Sequence, residues 1–142
     1  GRSEAALRRA GARLDGWLSY VVTPAMYAAS LDTIAKHYAA AKRQLDSFGT
    51  AHLLYLRLDN DWESAFETAS KRLSQRYAMD FRNATKKYVA LGRPTDIAER
   101  LSEFHRAGVR HIEIDFICTQ DEKEAQLRWF SEETIPLLGS II

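Results

Sequence analysis

Hydrophobic positions along the chain follow two alternating rhythms, one helical and one of strand type, and their order sets out the expected elements. The chain opens on a small Gly-Arg-Ser loop that runs into a helix, with Ser3 as N-cap, Glu4 in the first turn and Gly11 late in the run. Trp17 to Val22 is a short apolar run of strand type. Thr23 and Pro24 then start a helix, Thr as N-cap and Pro at the first helical position. Tyr27, Leu31, Ile34, Tyr38, Ala41 and Leu45 follow at spacings of four and three, so they share one face of that helix. Gly49 is expected to close it. Ala51 to Leu58 reads as a buried strand.

Asn60 and Glu63 resemble a capping box, and Trp62, Phe66, Ala69 and Leu73 line the helix behind it. The more polar Gln75 to Leu91 predicts a second short helix, ended by Tyr88-Val-Ala-Leu-Gly92. Pro94 starts a further helix, with Ile97, Leu101 and Phe104 inward and Gly108 as its stop. In Val109 to Cys118, Ile112, Ile114 and Phe116 point one way and His111, Glu113 and Asp115 the other, which is a strand. Thr119 with Glu122 predicts a capping box for a last helix through Leu127 and Phe130, ended or bent by Pro136.

Strands that alternate with helices imply parallel βαβ units and an α/β fold. Three strands are few for a closed core, because an open three-stranded parallel sheet leaves edges and apolar faces bare. No low-complexity stretch or long linker divides residues 1–142, which are expected to form a single partial domain.

Composition narrows the function classes. The 142 residues suffice for one domain with a real core, and 46% hydrophobic with 27% charged residues is the mix of a soluble globular protein. Net charge is +1, which gives no reason to expect nucleic acid or a membrane surface as partner. Cys118 is the one cysteine, so no internal disulfide or Cys-rich metal site can form, and a reducing cytoplasm is the simplest compartment. No apolar run approaches the roughly 20 residues of a membrane span. The N-terminal segment is amphipathic and carries acid, unlike a signal peptide.

The strongest candidate for chemistry is the first helix itself. A helix N-terminus behind a Gly-x-Ser loop presents unpaired N–H groups and the positive dipole end, a physical anion site; the same residues also describe an ordinary capped surface helix. Gly1, Arg2, Ser3 and Glu4 are its candidate ligands, with Arg2 as added charge or as a merely solvated arginine. On the strand that follows, Trp17 and Tyr20 are candidate neighbours of a bound ring, or Trp17 is core. His111, Glu113 and Asp115 suggest an acid/base or metal cluster, but fit better as polar interior filling paired with a cation such as Arg57. Of the three, Asp115 is nearest the strand's C-terminal end and the most suited to face an active site. His37, His52 and His105 lack sequence partners, and Cys118 reads as an inert thiol. There is no P-loop, nucleophile elbow or Gly-x-Gly-x-x-Gly motif.

Gly1, Ser3, Glu4, Ala6, Leu7, Arg8, Arg9, Ala10, Arg13, Asp15, Gly16 and Trp17 resemble the phosphate-binding loop, helix and following strand of the bacterial luciferase-like, flavin-dependent oxidoreductases. In that family a Gly-Gly-x-Ser-Glu-x-Ala-Leu-Arg-Arg run leads into Asp-Gly-Trp, and its first glycine would precede residue 1, so a fragment or truncation is expected. Later landmarks fit in order: Thr23-Pro24 with Tyr27, Tyr88 to Gly92 with Pro94, Ala107 to His111, and Gln126-Leu127 through Leu138.

The resemblance implies the C-terminal part of an eight-stranded (β/α) TIM-type barrel. It implies FMN or a deazaflavin of the coenzyme F420 type as cofactor, its phosphate held around Gly1 to Glu4, and a small organic substrate. The chemistry implied is monooxygenation with the flavin or hydride transfer with the deazaflavin. This stretch alone is expected to turn nothing over, because much of the pocket lies in the other half of the barrel. The alternative is a non-catalytic half-barrel that forms a dimer or other homo-oligomer, or pairs with a second subunit through its exposed edge.

Overall fold

The computed structural model describes residues 1–43 and 48–139. Helices and strands alternate: α1 Glu4–Arg13, β1 Gly16–Tyr20, α2 Pro24–Ala40, β2 Gly49–Leu58, α3 Trp62–Tyr77, α4 Arg82–Tyr88, β3 Ala90–Gly92, α5 Pro94–Arg106, β4 His111–Phe116, α6 Lys123–Trp129, a π-helical segment Phe130–Thr134 and α7 Ile135–Leu138. Among the described residues β2 pairs with β1, β3 and β4, a four-stranded sheet. None of the described helices is long and apolar enough to cross a membrane. The chain forms two compact units, Gly1–Leu53 with Phe104–Glu113, and Leu54–Glu103 with Ile114 onward.

In the first unit, β1 lies parallel to the start of β2, from Gly16 opposite Gly49 to Tyr20 opposite Leu53. Period two puts Trp17 and Ser19 on the buried face and leaves Leu18 and Tyr20 half-exposed on the other. Helix α2 starts as expected, with Thr23 accepting from the Met26 N–H and Pro24 in the first turn. Its inward residues Tyr27, Ile34 and Tyr38 are buried. Helix α1 packs on it through Gly11, where a Cβ would sit 2.4 Å from the Ile34 carbonyl oxygen; only glycine admits that approach.

Gly49 does not close α2; it begins β2. The helix stops at Ala40, and Lys42 takes the left-handed conformation (φ 58°). Lys42 N–H donates to Ala39 O and Arg43 N–H to Tyr38 O, the paired bonds of a Schellman cap with a lysine where glycine is usual. Ala41 is exposed just past the helix, and Leu45 lies outside the described residues.

In the second unit, Leu56 to Leu58 pair in parallel with Ala90 to Gly92. This fourth strand replaces the expected simple end of a helix: α4 stops at Tyr88 and the chain extends at once. The cap of α3 is Asp61, one residue after the expected Asn60; Asp61 accepts from the Ser64 N–H at 2.8 Å. The inward residues Phe66, Ala69 and Leu73 are buried as expected, whereas Trp62 is exposed and stacks on Phe66.

Pro94 opens α5, where the Asp96 carboxylate reaches back to the Arg93 N–H at 2.9 Å. The Thr119–Glu122 box forms with both reciprocal bonds, and the helix proper follows from Lys123. Pro136 does not end the last helix; a π-helical segment precedes it and α7 runs to Leu138.

Candidate functional site

The loop ahead of α1 is built as the sequence suggests. Ser3 is extended (φ −71°, ψ 152°) and its Oγ accepts from the Ala6 N–H at 3.3 Å. The Ser3 carbonyl takes the Leu7 N–H at 3.0 Å, the first full helical bond. The N–H groups of Glu4 and Ala5 precede that bond and have no carbonyl four residues back inside the helix. Gly1, Arg2, Ser3 and Glu4 are all exposed. The Glu4 carboxylate lies 3.4 Å from His37 Nε2.

Two side-chain bonds pin this loop to the strand that follows α1. The Trp17 indole N–H donates to Gly1 O at 3.1 Å, and Arg2 Nη1 donates to Val21 O at 2.6 Å. Trp17 is buried with its ring 5.0 Å from that of Tyr27, so it is a core residue that positions the loop from behind. Tyr20 is 54% exposed at the end of β1. Val21 has φ 54°, a conformation that β-branched residues rarely adopt. It stands directly beyond the C-terminal end of β1, where barrel enzymes carry their sites. Only the cap residue itself announced this arrangement in the sequence; both bonds span many residues and carry no local pattern.

The strand β4 residues do not assemble a cluster. His111 and Glu113 are exposed in the first unit. In the second, Asp115 pairs with Arg76 at 2.8 Å, a residue of α3, and not with Arg57. Arg57 instead meets Asp59 at 3.5 Å and Glu122 at 3.2 Å, and Arg72 takes the other Glu122 oxygen at 3.0 Å. The Thr119 N–H, 2.7 Å away, together with Arg57 holds the Glu122 carboxyl well below its usual range, at about 2. Among the described residues no group of three His, Cys, Asp or Glu stands ready for a metal ion.

Of the histidines, His52 is buried, shares a 2.8 Å hydrogen bond with Ser19 and stacks on Phe104. Burial pushes the half-buried Cys118 thiol up, away from the reactive thiolate. An open hollow of about 640 Å³ in the second unit, lined by α3 residues with Met79 and Arg82, involves none of the loop residues.

No protein family matches the chain by sequence, and no curated protein does either. Solved structures do match it. One is the coenzyme F420 dependent tetrahydromethanopterin reductase from Methanopyrus kandleri, 17% identical, with a TM-score of 0.70 over 96% of this chain and 49% of that one. Another is an F420-dependent secondary alcohol dehydrogenase in complex with an F420–acetone adduct, 13% identical, with a TM-score of 0.78 over 95% and 46%. A third is a riboflavin lyase with modified FMN and riboflavin, 12% identical, with a TM-score of 0.68 over 99% and 42%. The chain thus spans about half the length of the structures it matches. At these identities the likeness is one of fold, and it is the expected one: parallel strands alternating with helices, part of a (β/α) barrel.

Proposed function

We propose, from a fold shared with the luciferase-like flavin- and deazaflavin-dependent oxidoreductases, that this chain is the cofactor-phosphate part of such an enzyme. Ser3 and the N–H groups of Glu4 and Ala5 hold the phosphate of FMN or of a deazaflavin of the F420 type. Arg2 adds positive charge from its exposed position, and Gly1 lets the loop close on the helix. Trp17 fixes the loop rather than touching the phosphate. When bound, the cofactor supplies the redox chemistry: hydride transfer for the deazaflavin, or oxidation with oxygen for reduced FMN, acting on a small organic substrate. The protein's task here is to bind and orient. The setting we assign is the cytoplasm, with no nucleic acid or membrane partner.

The observation that carries this reading is the exposed, Ser3-capped N-terminus of α1, held at two points by Trp17 and Arg2. Its donors are backbone N–H groups and a hydroxyl, with the Arg2 charge beside them, which suits a phosphate. A Cβ at Gly1 would meet the Ala6 Cβ at 2.9 Å, so the loop lies as close to the first turn as glycine permits.

Amide chemical shifts of Ser3, Glu4 and Ala5 test it, with FMN, the deazaflavin, inorganic phosphate and riboflavin as separate probes. The phosphate-bearing probes should move these amides, and riboflavin, which lacks the phosphate, should not. Ser3→Asp keeps a good cap but sets like charge against the phosphate, so it should abolish the response. Equal responses to FMN and riboflavin, or none to either, would overturn the proposal.

A second reading is favoured by Leu18 and Tyr20, 49% and 54% exposed on one face of β1. A half-barrel with that face bare pairs with itself or with another subunit. Sedimentation that shows a dimer growing with concentration supports it, and a monomer at every concentration removes self-association.

A further inference from the structure

We infer that the hydroxyls of Tyr55 and Tyr77 form a donor site for a carbonyl-type oxygen, that of a ketone, its alkoxide or a phenolate, on a small organic ligand. Both residues belong to the second unit. Tyr55 lies on β2 and is 8% exposed, while Tyr77 closes α3 and is 42% exposed. Their hydroxyl oxygens are 2.5 Å apart. Two phenols carry two protons, and one proton makes the bond between them. The other remains for an outside acceptor, and no acceptor is recorded for it among the described residues. A phenol that already accepts a hydrogen bond is a stronger donor with its own proton, because the two bonds polarise each other.

The surroundings fit a donor site held in place. Tyr77 stacks on Phe81 with ring centroids 4.7 Å apart, which fixes its ring without using its hydroxyl. The negative charge facing the pair is Asp115, and Arg76 neutralises it through a 2.8 Å ion pair while standing 5.9 Å from the Tyr55 ring. An incoming oxygen therefore meets donors and a balanced ion pair, not a bare carboxylate. Burial, then the bond to Tyr77, pushes Tyr55 up to about 12, so Tyr55 keeps its proton at neutral pH. Tyr55 is also on the C-terminal half of its parallel strand, toward the end at which barrel enzymes act.

The two tyrosines belong to the second unit and the residues of the α1 loop to the first. Only the pair's use in turnover rests on the proposed function. No covalent step is involved; the pair donates a hydrogen bond and keeps its protons.

Titration of the chain with 4-nitrophenolate, read by its visible absorbance, tests the inference. The wild type should bind it and favour the deprotonated probe, so the bound probe titrates at lower pH than the free one. Tyr77→Phe, which keeps the ring stacked on Phe81, should weaken binding at least tenfold, the scale of one hydrogen bond to a charged group. Tyr55→Phe should weaken it at least threefold, and the double variant should lose less than the product, since the hydroxyls act as a unit. Tyr88→Phe should change nothing. A wild type that does not bind the probe, or a Tyr77→Phe variant that binds it equally well, overturns the site. FMN and riboflavin responses at the α1 loop, measured on the same preparation, report separately on the cofactor reading.

Discussion

At the scale of single residues, Ser3 and Glu122 show how much a local spacing can reveal. Each was legible as part of a cap, because the partner N–H lies a fixed three residues away whatever the rest of the chain does. What the spacing hid was the second role of Glu122, which also takes Arg57 and Arg72 from distant elements. Its folded carboxyl, held at about 2 chiefly by the Thr119 N–H and then by Arg57, lies below its ordinary value of 4.5. A depressed carboxyl stabilises the fold above the unfolded value and loses that contribution as pH falls through the folded one. Acid unfolding should therefore steepen between about pH 4.5 and 2, and Glu122→Gln should remove that part of the slope, as read from denaturant midpoints against pH. Glu122→Gln should also be less stable at pH 7, since the buried Arg57 is left with Asp59 alone and Arg72 loses its pair.

Among the elements, helices and strands were found where the apolar period was long, and misplaced where a short-range conformational choice decided. The start of α2 followed from Thr23-Pro24, but its end did not, because Lys42 takes a left-handed conformation that a sequence assigns to glycine. That position predicts its own improvement. Lys42→Gly removes the Cβ crowding of a left-handed residue and should raise stability by about 1 kcal/mol, measured by urea unfolding. No change or a loss would show that this turn is not held as described. The strand β3 was missed for a related reason: three residues are too few to show a period, and only their pairing with Leu56 to Leu58 makes them a strand. In β4 the alternation was read correctly, yet the partner of Asp115 was not, since nothing in the strand's own pattern points to Arg76 on α3.

For the whole molecule, length against the matched structures governs the expectation. The chain covers 49% of the tetrahydromethanopterin reductase and 46% of the secondary alcohol dehydrogenase. Under the proposed function, a phosphate seat without the remainder of the pocket binds weakly and leaves the reactive ring unshielded. The 142-residue chain by itself should thus show no oxidoreductase turnover with reduced FMN and oxygen or with reduced deazaflavin. Steady turnover above a buffer control, measured spectrophotometrically, would contradict that. If the half-exposed β1 face is covered by a second copy, sedimentation should show a dimer that grows with concentration, still without turnover.

The amino-acid order alone determined the alternation of helices and parallel strands, the capped start of α1 and the start of α2, because helix caps and apolar periods act over a few residues. It also carried the likeness to the luciferase-like fold. Tertiary structure alone decided that Trp17 and Arg2 tie the loop down, that Arg76 rather than Arg57 meets Asp115, and that two tyrosine hydroxyls share a bond. Each of these joins residues 16 to 39 positions apart. Such contacts are fixed by how elements pack, and side-chain chemistry has no period from which the packing partner can be read.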